Sequence, residues 1–248
     1  MPRGLSIYDS AAMQGRLWTP DIFRPLLWLD ASDLRTISIA TGVSEWRDKS
    51  GNGLHVSQAT GASQPSLIQN WLNGKSAIDW GSVLNSKNLY RSVSSYSPLR
   101  YYGIADYDGA NPSTGYATIY GHTFAGSFDV LQVNISSTLW YPGNSAVQTF
   151  LNGSGSSSFT CLPTISNPFV FGTDNGTTSN RSDLWIGSDR AISNRSWVGK
   201  IGEIIALSAI PNSRERSIIE GYLAWKWGLA ESLLPTHPFY NRPPLLGG

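Results

Sequence analysis

Residues 36–58 read TISIATGVSEWRDKSGNGLHVSQ, and this stretch indicates how the chain folds. Ile37 and Ile39 alternate with polar neighbours, as on a strand with one buried face. The segments VSEW and HVSQ are separated by SGNG, in which Gly51 and Gly53 supply the positive φ angles that a tight turn requires. We therefore expect short strands joined by a turn in this part of the chain.

The same pattern extends through most of the sequence. Further strand candidates are ATIYG, FDVLQVNI, TLWYP, FVFGT, DLWIGS and IGEIIALSAI. In LQVNI, apolar and polar residues alternate, so one face of the strand is apolar. Many short strands with turn signals about every ten residues predict an all-β, antiparallel, two-sheet sandwich.

One helix is expected near the end of the chain, at residues 213–227. Asn212 and Glu215 form a capping-box pair, and Gly228 supplies the stop signal. The apolar residues at helical spacing are Ile218, Ile219, Tyr222 and Leu223. The fold class predicted from the residues is thus an all-β sandwich with one C-terminal helix.

Composition excludes several classes of partner. Charged residues make up 14% of the 248 residues and the net charge is +1, so the charge gives no reason to expect nucleic acid or anionic lipid as a partner. The lone Cys161 excludes an intrachain disulfide framework. The first residues lack the apolar stretch of a signal peptide, and no segment has the roughly 20 apolar residues of a membrane span. We expect a product made in the cytoplasm without membrane insertion.

Three regions are expected along the chain: an arm at 1–24, a sandwich domain at 25–240 that includes the helix, and a tail at 241–248. The arm carries Tyr8, Trp18 and Phe23 among prolines and glycines. Such aromatic residues need a surface to pack on, which is either their own domain or another subunit. We interpret these three residues as an assembly arm.

Two segments together carry a resemblance to a known family. They are PLLWLDASDLRTISIATGVSEWRDKSGNGLHVSQATGASQPSL at 25–67 and IGEIIALSAIPNSRERSIIEGYLAWKWGLAESLLPTHPF at 201–239. They resemble the concanavalin A-like lectin/glucanase superfamily in its laminin G-like form, which occurs in bacteriophage virion and bacterial surface proteins. The resemblance covers about residues 25–240 and implies a jelly-roll sandwich. It also suggests that the helix plugs the open end of the sandwich, with Trp225 and Trp227 covering the core.

The acidic residues argue against hydrolysis. Glucanases of the superfamily place acidic residues at every second position of a strand, so that two carboxylates face the sugar. The glutamates are Glu45, Glu203, Glu215, Glu220 and Glu231, and none has a second acidic residue two positions away. His55, His122 and His237 lie in no nucleophile motif. We expect no catalytic residues and no enzyme activity.

Calcium is considered at DKSGNG, residues 48–53, which matches the first half of a calcium-binding loop. The twelfth position is Ala59, where that loop needs a bidentate Glu. We therefore assign Asp48 to capping its own turn. No cofactor is expected, with Ca²⁺ as an optional ligand.

The segment RYYGIADYDGANPSTGY, residues 100–116, is predicted to be a loop that binds a glycan or a partner. Aromatic rings pack on the C–H faces of sugars, while carboxylate and amide groups take the hydroxyls. The candidate site residues are Tyr101, Tyr102, Asp106, Tyr107, Asp108 and Asn111. A solvated turn-rich loop is the alternative.

These observations favour a non-catalytic virion structural protein of a bacteriophage, such as a tail, fibre or spike protein, with lectin-like recognition of host-surface glycan. A purely structural capsid-decoration or assembly component is the alternative, and a glycan hydrolase is a third reading. The expected partners are other virion proteins, host-surface polysaccharide and further copies in a homo-oligomer. The expected location is the virion.

Overall fold

The computed structural model describes residues 15–109, 115–124, 127–133, 138–140, 148–156, 158–160, 168–174, 181–191 and 194–246. This part of the chain consists mainly of short strands, together with one α-helix. The strands form two antiparallel sheets. The predicted two-sheet antiparallel sandwich with a C-terminal helix is confirmed.

The elements run in chain order as follows. The strands and the helix are β1 (Leu27–Asp30), β2 (Ile37–Ile39), β3 (Val43–Trp46), β4 (Val56–Ser57), β5 (Ser66–Leu72), β6 (Lys75–Asp79), β7 (Leu89–Tyr96), β8 (Arg100–Ala105), β9 (Ala117–Phe124), β10 (Ser127–Val133), β11 (Thr138–Trp140), β12 (Thr149–Leu151), β13 (Ser154–Ser156), β14 (Ser158–Thr160), β15 (Phe169–Asp174), β16 (Arg181–Ile186), β17 (Lys200–Leu207) and α1 (Ser213–Trp227). Short 3₁₀ turns lie at Pro20–Phe23, Leu34–Thr36, Gly61–Ser63 and Ala230–Ser232.

The first sheet, called sheet A, has the strand order β13-β12-β15-β8-β17-β6-β5. Strand β1 also pairs with β17, next to the point where β6 pairs with it. One edge of β17 therefore lies along β8, and the other edge is shared by β6 and β1. This register brings Asp30 of β1 directly opposite Glu203 of β17.

The second sheet, called sheet B, has the order β14-β11-β10-β9-β16-β7-β4-β3-β2. The VSEW and HVSQ segments pair here as β3 and β4, as predicted. The turn between them contains Gly51 and Gly53 at φ 89° and 68°. These positive angles are the ones that the SGNG sequence indicates.

Two Asn-Gly pairs make the tight hairpins of sheet A. Asn73 and Gly74 join β5 to β6 with φ 49° and 71°, and Asn152 and Gly153 join β12 to β13 with φ 49° and 84°. Positive φ at both central residues is the signature of a type I′ turn, for which Asn-Gly is the preferred sequence. The register of both hairpins is therefore set locally.

The main core lies between the two sheets. Leu27 and Leu29 of β1 face it, together with Trp46 of β3 and Ile186 of β16. All four side chains are fully buried. Burying a side chain of this size contributes about 1.5–3 kcal/mol, so this layer is the main source of stability.

A second core lies on the other face of sheet A. Tyr102 of β8, Val170 of β15 and Ile205 of β17 point away from the first core and pack against α1. On α1, Leu223 and Trp227 complete this layer. The helix therefore covers the outer face of sheet A rather than plugging the open end of the sandwich, which corrects the expectation drawn from the resemblance. Because both faces of sheet A are covered, the central strands β8 and β17 are buried at every residue except Lys200 at the start of β17.

The helix has the predicted ends. Glu215 N–H donates to Asn212 Oδ1 at 3.0 Å, and Asn212 N–H donates to Glu215 Oε2 at 2.8 Å, which completes the capping box. Gly228 ends the helix at φ 75°. Trp227 is fully buried, and half-buried Trp225 donates its indole N–H to the Phe239 carbonyl at 2.7 Å. Both tryptophans thus belong to the packing of the fold, as predicted.

The described part of the arm lies on its own domain. Trp18 is buried, with its ring centroid 4.9 Å from that of Phe23 and 5.6 Å from that of Tyr222 on α1. Residues 16–18 pair with residues 244–246 through hydrogen bonds of 2.9 Å at each end. We call this pairing the terminal ladder. The third arm residue of the prediction, Tyr8, lies outside the described residues.

Candidate functional site

The segment predicted to be a binding loop is largely a strand. Residues 100–105 form β8, which pairs with β15 on one edge and β17 on the other. Tyr101 stacks on Tyr120 between the sheets at a centroid distance of 3.9 Å, while Tyr102 packs in the layer beneath α1. Tyr107 is also buried, 5.5 Å from Trp197 between centroids. The three tyrosines predicted to offer their rings to a glycan or a partner are therefore buried, and these rings fill the core.

The two aspartates of that segment do come together. Lys200 Nζ lies 3.2 Å from Asp106 Oδ2 and also contacts the Asp108 carboxylate. Asp106 is buried and accepts the Trp71 indole N–H at 3.2 Å. Burial raises the pKa of Asp106, although its bonds to Lys200 oppose that rise. These contacts hold Lys200, the first residue of β17, in place. The last candidate residue of the segment, Asn111, lies outside the described residues.

A buried charge cluster formed by Asp30, Lys49, Glu203 and Lys226 lies at the junction of β1, β17 and α1. Lys226 Nζ lies 2.9 Å from Asp30 Oδ1 and 2.8 Å from Glu203 Oε2. Lys49 Nζ lies 2.8 Å from Asp30 Oδ2. The spacing of acidic residues along the sequence does not reveal this cluster. Its two carboxylates, Asp30 and Glu203, come together because they lie opposite each other on neighbouring strands.

The oxygens of Glu203 are all occupied by protein donors. Oε1 accepts from the Trp28 indole at 2.7 Å and the Tyr222 hydroxyl at 2.9 Å. Oε2 accepts from Lys226 and from the Trp227 indole, both at 2.8 Å. Glu203 is fully buried, so its charge is balanced inside the protein and faces no space that a sugar enters.

The pKa shifts of the buried charge cluster agree with this pairing. Burial opposes the charge of Asp30, but Lys226 and Lys49 outweigh it and lower the pKa of Asp30. Burial likewise opposes the charge of Lys226, and Glu203 and Asp30 raise the pKa of Lys226. Both shifts favour the charged forms of Asp30 and Lys226, as expected for a buried ion pair.

The turn after β3 is held by Asp48, as the sequence predicts. Asp48 Oδ1 accepts the backbone N–H of Trp28 and of Ser50, both at 2.9 Å. Its Oδ2 accepts the Ser50 hydroxyl at 2.7 Å and the Leu54 N–H at 3.0 Å. With both oxygens engaged by protein donors, this carboxylate serves the turn and its contact with β1.

A concave site lies where this turn meets the segment before β1. Its cavity volume is about 310 Å³. Its lining residues are Asp21, Arg24, Pro25, Trp28, Lys49, Ser50 and Asn52. We call it the Trp28 pocket. Asn52 fixes its wall by donating its side-chain N–H groups to the Pro25 and Leu26 carbonyls at 3.1 and 3.0 Å.

The Trp28 pocket combines an aromatic ring with two cationic groups, of which one is held by an ion pair and the other is not. The half-buried Trp28 ring has Lys49 Nζ 4.3 Å from its centroid, and that lysine is held by Asp30. Arg24 is exposed, and its guanidinium has no partner within the described part of the chain. The pocket thus has a fixed aromatic and cationic wall, and its lining also includes the exposed side chains of Arg24 and Asp21.

The three histidines have structural partners. His122 is fully buried; its Nδ1–H donates to the Asp183 carbonyl at 2.8 Å and its Nε2 accepts from the Tyr101 hydroxyl at 2.5 Å. Burial lowers the pKa of His122 to about 3. His55 Nδ1 accepts the Asp48 N–H at 3.0 Å, and His237 Nε2 lies 3.3 Å from Glu220 Oε2.

Among the residues that the structure describes, no three His, Cys, Asp or Glu side chains are grouped to hold a metal ion. Within the same ranges, no helix has the length and apolar character needed to cross a membrane. Comparison with protein-family models, with curated proteins and with solved structures gives no match for this chain. The site must therefore be interpreted from its own chemistry.

Proposed function

We propose that the chain is a non-catalytic bacteriophage virion protein whose sandwich recognises host-surface glycan through the Trp28 pocket. The observation that carries this proposal is the pocket itself, in which a tryptophan ring stands beside amide, hydroxyl and guanidinium groups. Sugar sites use this combination, because rings pack on C–H faces while polar groups bond the hydroxyls.

The pocket is preformed. Asp48 ties the turn to β1 through the Trp28 N–H, and Asn52 ties the same turn to the segment before β1. Behind the ring, Glu203 holds the Trp28 indole N–H. A wall fixed on both sides loses little conformational freedom on binding, which favours weak ligands such as sugars.

The charge arrangement supports recognition rather than hydrolysis. Glu203, which accepts the Trp28 indole N–H, and Asp30 are both buried and paired with lysines. Neither borders the Trp28 pocket, and the one carboxylate in its lining is that of Asp21, whereas glycoside hydrolysis of this kind uses two carboxylates. The virion location and the assembly of several copies rest on the resemblance of residues 25–67 and 201–239, and they belong to the same proposal.

Calorimetry of the full chain with polysaccharide extracted from candidate host cells tests this function. We expect saturable binding that Trp28→Leu weakens by several-fold to about tenfold, because the substitution removes much of the apolar contact area that the ring offers to a sugar, which contributes about 25 cal/mol per Å². Trp185→Leu is the matched control, since Trp185 is also half-buried but lies on β16 of sheet B.

Trp28 also supports Glu203, so a second variant separates binding from folding. Arg24→Asn removes the free guanidinium and suits the left-handed backbone of that position, at φ 47°. We expect it to keep the melting temperature and to weaken binding several-fold. Equal binding by wild type and both pocket variants would refute the site. If no candidate polysaccharide binds, while the protein is present at fixed copy number in particles, the purely structural reading replaces this one.

A further inference from the structure

A second, larger groove lies beside the first turns of α1, where three segments of the chain meet. Its cavity volume is about 580 Å³. Trp18 of the arm, Ile218 of α1 and Phe239, which precedes the tail, border it, together with prolines 238, 243 and 244. We call it the terminal groove. Its lining is mainly apolar, so it offers area to side chains that gain by leaving water.

The charges at the terminal groove are of one sign. Arg214 at the first turn of α1 and Arg242 in the tail both border it, and no acidic side chain does. Both arginines are exposed, and neither guanidinium has an ion-pair or hydrogen-bond partner in the described ranges. An arginine binds a carboxylate with two parallel hydrogen bonds, so these two free cations favour an acidic occupant.

The backbone beside the groove is a free edge. In the terminal ladder, Trp18 N–H donates to the Pro244 carbonyl and Leu246 N–H donates to the Arg16 carbonyl. Leu245 lies between these bonds, so its own N–H and C=O point away from residues 16–18. Within the described part of the chain, the Leu245 N–H has no acceptor. An unpaired strand edge of this kind accepts an added extended segment.

We propose that the terminal groove docks an extended peptide segment of a partner protein that alternates apolar and acidic side chains. The apolar side chains lie in the groove against Ile218 and Phe239. The carboxylates pair with Arg214 and Arg242, and the peptide backbone runs along Leu245. This surface lies apart from the Trp28 pocket, with which it shares no lining residue, so the proposal stands independently of glycan binding.

The test uses the full chain and two fluorescein-labelled peptides with blocked ends. One peptide alternates aspartate with leucine and phenylalanine, and the other has lysine in place of aspartate. We expect saturable fluorescence anisotropy with the acidic peptide only, weakening as salt rises. Arg214→Glu combined with Arg242→Glu should weaken this binding by at least tenfold. Arg91→Glu is the matched control, because Arg91 is an exposed arginine on β7 of sheet B.

A second double variant, Arg214→Gln with Arg242→Gln, removes the two positive charges without adding negative ones. Its affinity for the acidic peptide should lie between that of the wild type and that of the double charge reversal. The proposal is overturned if the acidic peptide does not bind, if the lysine peptide binds equally well, or if charge reversal changes nothing. Sedimentation velocity supplies a further outcome. Self-association of the wild type that the double charge reversal abolishes would assign the groove to a second copy, which also overturns the proposal.

Discussion

Replacing Glu203 with glutamine tests the buried charge cluster most directly. The side chain keeps its size and shape, so no cavity forms. The change removes the negative charge opposite Lys226 and replaces one acceptor oxygen by an amide N–H₂ group. Whichever oxygen this group replaces, it then faces two donors whose hydrogen bonds that oxygen had accepted. The variant therefore isolates the electrostatic and hydrogen-bonding role of this one position.

The expected loss of stability follows from the four bonds to Glu203. Two of the four keep an acceptor oxygen in Glu203→Gln, and two lose it. Hydrogen bonds to charged groups contribute about 1.5–3 kcal/mol each, and breaking a buried ion pair costs about 3–5 kcal/mol in total. These two estimates describe the same interaction, so we expect a loss of about 3–5 kcal/mol in the free energy of unfolding.

Urea denaturation followed by tryptophan fluorescence measures this loss. For a chain of this size the melting temperature should fall by roughly 6–20 °C. Glu45→Gln is the control, because Glu45 pairs with Arg47 at 2.8 Å but the two side chains are partly open to solvent, with Arg47 47% and Glu45 33% exposed. That exposed pair should contribute less than about 1 kcal/mol. A loss below 1 kcal/mol for Glu203→Gln would show that the four bonds do not stabilise the junction of β1, β17 and α1.

Two further predictions concern buried groups elsewhere. Burial lowers the pKa of His122 from 6.5 to about 3. Between these two pH values the unfolded chain binds a proton at this residue and the folded chain does not. The free energy of unfolding should therefore fall as the pH drops, by about 2–3 kcal/mol from pH 6.5 to 4.5. Urea titrations at both pH values measure this fall, and a His122→Gln variant with an undiminished pH dependence would contradict it. Gly202→Ala should cost about 1–3 kcal/mol, because a Cβ atom there lies 2.7 Å from the Trp227 ring. Thermal melting checks it, and an unchanged melting temperature would mean that the ring moves freely.

The local elements could be predicted from the sequence because their signals are local. Asn212, Glu215 and Gly228 mark the ends of α1 within a single stretch of chain. Gly51 and Gly53 mark a turn in the same way. Backbone angles and caps depend on residues a few positions apart, so a sequence contains them directly.

Strand β8 shows where prediction from local sequence signals fails. Its RYYGIA sequence lacks the alternation of apolar and polar residues, and its tyrosines and glycine are also common in binding loops. The alternation is missing because the inner face of β8 packs on sheet B and its outer face packs under α1. Only the tertiary arrangement decides that both faces are covered, so the sequence alone favoured the wrong interpretation.

The candidate site was missed for a related reason. Asp48 and its turn were assigned correctly, but the pocket also needs Trp28 from β1 and Arg24 from the preceding turn. The supporting Glu203 comes from β17, at the far end of the domain sequence. Contacts between segments this distant depend on sheet order, and the spacing of residues in the sequence does not encode it.

The terminal ladder also makes the domain suitable for insertion into a loop of another protein. Residues 16–18 lie beside residues 244–246, so a chain that enters at one end leaves next to the point of entry. A short linker could therefore close the backbone into a ring, and a cut at the Asn73–Gly74 hairpin would give a circular permutant with the same sheets. The same geometry would let a surface loop of a carrier protein display the whole sandwich on two short connections.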